Sequence, residues 1–241
     1  MKKLIPALCM LLVAATLLGT STYAWFSMNE EVTASSMQIK ATTDANLYIA
    51  KGASVDLNAI TGTAVTDLGV NASSVKPADM SDDAGTVTVR VANTYTSAPT
   101  VNSAGTAATY TDIGTVTSTA SEPEVVDYCA VGFVSIARKQ TTASTFKLAP
   151  KCTVTLDGTS NLNKALRAGL IIDGKLYESN DANLATGTIN FTFSNVEDLD
   201  DNKAYSVALL LWFEGEDSDC FVNNAIDLTN NTAEWSFTLV P

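Results

Sequence analysis

Tyr205-Ser206-Val207-Ala208-Leu209-Leu210-Leu211-Trp212-Phe213 is the most continuously apolar stretch that follows the first twenty residues. Nine residues are too few for a core helix, and an apolar run of this length without alternation marks a strand covered on both faces. The segments around it alternate with a period of two. Ile189, Phe191 and Phe193 share one face while Asn190 and Thr192 take the other. Trp235, Phe237 and Leu239 alternate with Ser236 and Thr238. Cys152, Val154 and Leu156 alternate with Thr153 and Thr155 and run into Asp157-Gly158, a turn pair. Asp173-Gly174, between the apolar strand Ala165 to Ile172 and Lys175-Leu176-Tyr177, reads as a two-residue hairpin. Val125 to Ala137 is a further apolar run.

The earlier half is more polar. Thr86-Val87-Thr88-Val89-Arg90-Val91 puts three valines on one face of a half-buried strand. Lys51 to Asp83 reads as loops around one or two short strands, and Asn93 to Glu122, rich in Thr, Ser, Ala and Gly, as a long hairpin or surface excursion. Short strands divided by Gly, Asp and Asn turns, with no 3.6-residue stripe, specify an all-β antiparallel sandwich. The expected arrangement is a single domain over 42–241, its core carried from Val125 onward and its polar half decorating one end.

The N-terminus has a different character. Lys2 and Lys3 precede an almost wholly apolar Leu4 to Leu18, and Gly19 to Ala24 is small and polar. This is the pattern of a secretory signal over 1–24, with cleavage between Ala24 and Trp25. The apolar core is shorter than the roughly 20 residues of a spanning helix, so membrane contact is expected only through this segment before cleavage. Strand signals begin directly after it. Val32-Thr33-Ala34 and Met37-Gln38-Ile39-Lys40-Ala41 alternate in opposite parity, which places a bulge or a change of partner at Ser35-Ser36.

Composition excludes several functions. The 241 residues carry 14 Lys and Arg against 26 Asp and Glu, a net charge of −12. Such a surface repels nucleic acid, whose binding needs cations to displace phosphate counterions. The chain has no histidine, which removes Ser-His-Asp and Cys-His catalysis and nearly all catalytic zinc sites. Ser73-Ser74-Val75-Lys76 and Ser144-Thr145-Phe146-Lys147 match the Ser-x-x-Lys spacing of acyl enzymes, but neither lies in a helix that would bring Lys beside Ser. The acidic loops Asp198 to Asn202 and Glu214 to Cys220 lack the spacing of a calcium loop and read as solvated turns. No enzyme activity, cofactor or metal is expected. Cys129, Cys152 and Cys220 remain after export, and two of them could form a disulfide, the pairing being open.

Gly19-Thr20-Ser21-Thr22-Tyr23-Ala24-Trp25-Phe26-Ser27, with the two alternating runs that follow, resembles exported proteins of Gram-positive bacteria that carry a SipW-type signal peptide, the TasA and camelysin group. The resemblance implies a jelly-roll-like sandwich, secreted to the cell surface or matrix, that polymerises head to tail into fibres. It also implies a donated N-terminal strand over 25–41, with Trp25, Phe26, Met28, Val32, Ala34, Met37 and Ile39 as its interface. A monomeric surface adhesin or carbohydrate-binding module is the alternative; an exposed aromatic pair such as Trp212-Phe213 would suit such contact, but alternation turns one inward and core is the default for both.

Overall fold

The computed structural model describes residues 38–43, 46–69, 74–92, 110–156, 165–179, 183–185, 187–215, 226–227 and 231–240. All of them belong to one unit, Ser35–Pro241. The strands of the first half are β1 (Gln38–Thr43), β2 (Leu47–Lys51), β3 (Ala64–Val65), β4 (Ser74–Val75), β5 (Asp79–Asp83), β6 (Thr86–Ala92) and β7 (Tyr110–Val116). There follow β8 (Cys129–Arg138), β9 (Thr145–Thr155), β10 (Leu166–Ile172), β11 (Lys175–Glu178), β12 (Asn183–Ala185) and β13 (Thr188–Thr192). The last four are β14 (Val196–Asp200), β15 (Tyr205–Phe213), β16 (Ile226–Asp227) and β17 (Thr232–Val240). The protein is all-β, a sandwich of mainly antiparallel sheets.

One sheet runs β12-β13-β9-β17-β1-β3, with β14 also paired to β9. The other runs β11-β10-β15-β8-β2 and places β15 at its centre. Tyr205, Val207, Leu209, Leu211 and Phe213 of β15 point into the main core, where they meet Phe146, Cys152, Phe191, Trp235 and Phe237 of the first sheet. Ala208, Leu210 and Trp212 point the opposite way into a second apolar cluster. Both faces of β15 are therefore covered, as its unbroken apolar sequence requires.

The second cover comes from the polar half of the chain. Strands β5, β6 and β7 form a three-stranded sheet, and its Val87, Val89 and Val116 pack with Ile171, Ala208, Leu210 and Trp212. The first half thus does more than decorate one end: it supplies a third layer, while β1 and β2 take places in the two main sheets. The physical reason is the alternation itself. A sheet with valines on one face needs an apolar partner, and the even-numbered side chains of β15 provide it.

The loop after β2 is held to the central sheet by two serine hydroxyls, that of Ser135 buried and that of Ser206 half-buried. Ser135 Oγ donates to the Gly52 carbonyl at 2.9 Å and accepts from the Val55 N–H at 3.1 Å. Ser206 Oγ accepts from the Ser54 N–H at 2.9 Å. Further along, Lys76 N–H donates to the Asp127 carbonyl at 2.8 Å. The Lys76 ammonium lies 3.7 Å from Asp127 Oδ2 and 5.3 Å from the Tyr128 ring centre. The chain enters and leaves the third layer at one neck.

Two hairpin tips meet where that layer touches the edge of the central sheet. Asp173-Gly174 closes the expected two-residue turn, with Ile172 opposite Lys175. Ala84-Gly85 closes the β5–β6 turn, both residues having positive φ, and Asp82 Oδ1 accepts from the Gly85 N–H at 2.9 Å. A Cβ on Gly85 would stand 2.2 Å from the Gly174 backbone, so only glycine permits this approach.

Candidate functional site

Ile39 of the expected donor strand lies in β1, where it and Ala41 are wholly buried in the main core. β1 pairs parallel with β17, from Gln38 opposite Thr232 to Thr43 opposite Phe237. It is the one parallel strand pair among the described strands. On its other side it meets only the two-residue β3, Ala41 opposite Val65. The Leu68 N–H donates to the Ile39 carbonyl at 3.1 Å, and Gln38 N–H to the Asn231 carbonyl at 3.3 Å. The strand is seated in its own chain. Its direction matters most: its first residue, Gln38, lies at the Thr232 end of β17 and its last, Thr43, toward the Val240 end. Ala24, Trp25, Phe26, Met28, Val32, Ala34 and Met37 lie outside the described residues.

The Val240 end of the sandwich carries a concavity of about 540 Å³. Phe146, Leu239 and Val240 give it an apolar lining, and Arg138, Lys147 and Asp198 give it charge. Behind it the Asp201 carboxylate is fully buried. Arg138 Nε stands 3.4 Å from its Oδ1, and Ser144 Oγ donates to its Oδ2 at 2.5 Å. A buried carboxylate needs such partners. Asn202 completes the junction: its N–H donates to the Arg138 carbonyl at 2.8 Å and its amide to the Gln140 carbonyl at 2.9 Å.

This junction reassigns two features of the sequence. Ser144, singled out for Ser-x-x-Lys spacing, is the donor to Asp201, whereas Lys147 lies on β9 with its ammonium 3.1 Å from Glu197 Oε1. The acidic run Asp198 to Asn202, expected as a solvated turn, is strand β14 as far as Asp200 and a turn only at Asp201-Asn202. Asp201 turns inward and Asp200 lies 3.7 Å from Lys203. Asp198 is exposed, has a φ of 61° and has no ion-pair partner among the described residues. No group of three acidic or thiol side chains that could hold a metal ion stands together among the described residues. Sequence reasoning missed Arg138 and Asp201, because nothing local joins residues 63 positions apart.

Cys129 and Cys152 are free and buried. Cys152 belongs to the main core and Cys129 to the cluster under the third layer, so the central sheet separates them and they form no disulfide with each other. Burial pushes the Cys129 thiol up to about 12, against a lowering backbone hydrogen bond at Leu211, and pushes Cys152 well above its ordinary value. Thiols held protonated are poor nucleophiles. Cys220 lies outside the described residues, as does Asp157-Gly158.

The aromatic side chains offer no open stacking platform among the described residues. Trp212 and Phe213 are both buried, one on each side of the central sheet. Tyr48, Tyr110, Tyr128, Tyr177 and Tyr205 each have a Lys or Arg cation 4.1 to 5.4 Å from the ring centre.

No family model matches the chain, and no curated protein does. Distantly similar solved structures include the following two. AvmM, which catalyses macrocyclization in alchivemycin A biosynthesis, shares 8% identity at a TM-score of 0.27, over 46% of this chain and 79% of its own. The collagen binding domain of the Erysipelothrix rhusiopathiae surface protein RspB shares 7% identity at a TM-score of 0.17, over 73% of this chain and 63% of its own. At these scores neither carries a functional argument.

Proposed function

We propose that this chain is an exported structural subunit that polymerises head to tail into extracellular fibres through its N-terminal segment. The observation that supports the reading is the direction of β1. A lone parallel strand, fixed in the core by Ile39 and Ala41, begins with Gln38 at the Thr232 end of β17. With Ile39 anchored in its own chain, the segment offered to a neighbour ends before Gln38. It comprises Trp25 to Met37 and contains Trp25, Phe26, Met28, Val32 and Ala34. An extended apolar segment given to the next copy supplies main-chain hydrogen bonds and side-chain anchors. A head-to-tail contact that does not close builds a filament. The acidic surface keeps the unassembled subunit soluble.

Electron microscopy of the chain beginning at Trp25, beside one beginning at Gln38, tests the proposal. Filaments are expected from the first and not from the second, and equal behaviour of the two overturns it.

A further inference from the structure

We propose that the outer face of the first sheet carries a binding site for a single neutral sugar ring, held across the Lys40 and Glu234 side chains. The site goes beyond the fibre reading and stands whether or not the chain polymerises.

Its place is set by how short β3 is. β3 pairs with β1 only at Ala41 opposite Val65 and Thr42 opposite Ala64. The chain then turns inward to Leu68, which is buried and whose N–H donates to the Ile39 carbonyl. Between Ala64 to Thr66 and the strands β1, β17 and β9 lies a concavity of about 180 Å³. Ile39 and Ala41 fill the core, so alternation turns Lys40 and Thr42 to the outer face. Glu234 and Ser236 stand out in the same way between the buried Ala233, Trp235 and Phe237, and Thr153 between Cys152 and Val154. Register gathers them: Lys40 is opposite Glu234, Glu234 opposite Thr153, and Thr42 opposite Ser236. Ala64 and Val65 supply an apolar wall.

Size, charge and hydrogen bonding then select the ligand. The space is a little larger than the roughly 150 Å³ that holds a benzene ring, which suits one six-membered ring. One ammonium and one carboxylate line it, so an ion of either sign meets a like charge and a neutral molecule meets none. Lys40 Nζ lies 4.0 Å from Glu234 Oε1, too far for a direct hydrogen bond, which leaves donors on one group and acceptors on the other. Adjacent hydroxyls of a sugar close that gap. One donates to the Glu234 carboxylate while its neighbour accepts from the Lys40 ammonium, and bonds to ionised groups are the stronger kind. Thr42 and Thr153 already donate, to the Trp235 carbonyl at 3.5 Å and to Asn190 Oδ1 at 3.0 Å, and so present acceptors to the remaining hydroxyls. Thr66 and Ser236 can donate or accept. A zwitterion such as an amino acid uses the two charges and leaves this hydroxyl lining idle.

Saturation-transfer NMR on the full chain tests the site, with glucose, galactose, mannose and N-acetylglucosamine as probes. Saturable binding of at least one is expected. Glu234→Gln and Lys40→Met should each weaken it about tenfold or more, as the loss of one bond to a charged group requires. Both side chains are substantially exposed, at 64% and 37%, so the melting temperature should stay in place. A monodeoxy analogue lacking either hydroxyl of the bound pair should lose a similar factor. Methyl glycosides of the bound sugar separate two sources of the ring: undiminished binding assigns the site to the end of a polymer, and lost binding to the free sugar. Absence of saturable binding by all four sugars, or binding unmoved by both substitutions, overturns the proposal. So does tighter binding of glycine or glucuronate than of every neutral sugar.

Discussion

The two faces of β15 meet different cores. Toward the first sheet, the main core holds Trp235, Phe191, Phe213 and Phe237, all essentially without solvent exposure. Toward the third layer, the opposing side chains are Ala78, Val87, Val89, Val116 and Val125. The main core ties together strands far apart in sequence, β1 with β17 and β9 with β13 and β17. The outer core is covered by one local excursion with a neck at Lys76 and Asp127. Large side chains brought together by distant pairings set the fold, whereas small ones in a local hairpin add a cover to it.

The largest expected effect separates the two directly. Trp235→Ala should cost about 3–5 kcal/mol, the range for a buried aromatic lost from a packed core. Val87→Ala should cost about 1.5–2 kcal/mol, two buried carbons' worth. Urea midpoints read both, and equal losses would erase the distinction. Gly85→Ala comes next. It combines a left-handed backbone (φ 81°) with a collision against Gly174, so more than about 2 kcal/mol is expected. Gly187→Ala has the same backbone (φ 79°) and open space, and should cost about 1 kcal/mol. Melting temperatures of the two variants give the comparison.

Thiol labelling sharpens it further. With Cys9 and Cys220 replaced by Ser, Cys129 and Cys152 should resist modification in the native state. If the third layer opens by itself, Cys129 reacts well before Cys152, because local openings need less free energy than global unfolding. Identical rates would make the two cores one cooperative unit.

A smaller, pH-dependent effect belongs to the seam between them. Burial raises Glu178 above its ordinary value and Asp82 raises it further, while Arg167 opposes both. The charged form is therefore disfavoured in the folded protein. Stability contributed by protonated Glu178 is fully present below the ordinary carboxylate value near 4.5 and is lost as pH rises through the raised folded value. Glu178→Gln should be the more stable protein at pH 7, with the gap closing toward pH 4 in urea titrations. The smallest effect is at Ala84, held at a φ of 50°. Ala84→Asn should gain a few tenths to about 1 kcal/mol, read as a rise in urea midpoint.

Much of this architecture is legible in the residues. Tyr205 to Phe213 announces a strand covered twice, and Asp173-Gly174 announces its hairpin, because both signals are local. The parallel seating of β1 on β17 is not, since nothing in Gln38 to Thr43 names a partner nearly two hundred residues away. The third layer is only half legible: Val87 and Val89 show that one face seeks cover, but not which sheet supplies it. The junction of Arg138, Ser144 and Asp201 is hidden for the same reason. The separation of Cys129 from Cys152 depends on which side of the central sheet each strand turns, a matter of register that spacing does not encode.

The neck at Lys76 and Asp127 has a consequence for how this protein can be rebuilt. Because the two chain ends there are hydrogen-bonded neighbours, the intervening residues form a cassette. A shorter ribbon can replace it only if it keeps the valine face over Ile171, Ala208, Leu210 and Trp212 and the backbone bonds of Ala78 to Phe213 and Gly215.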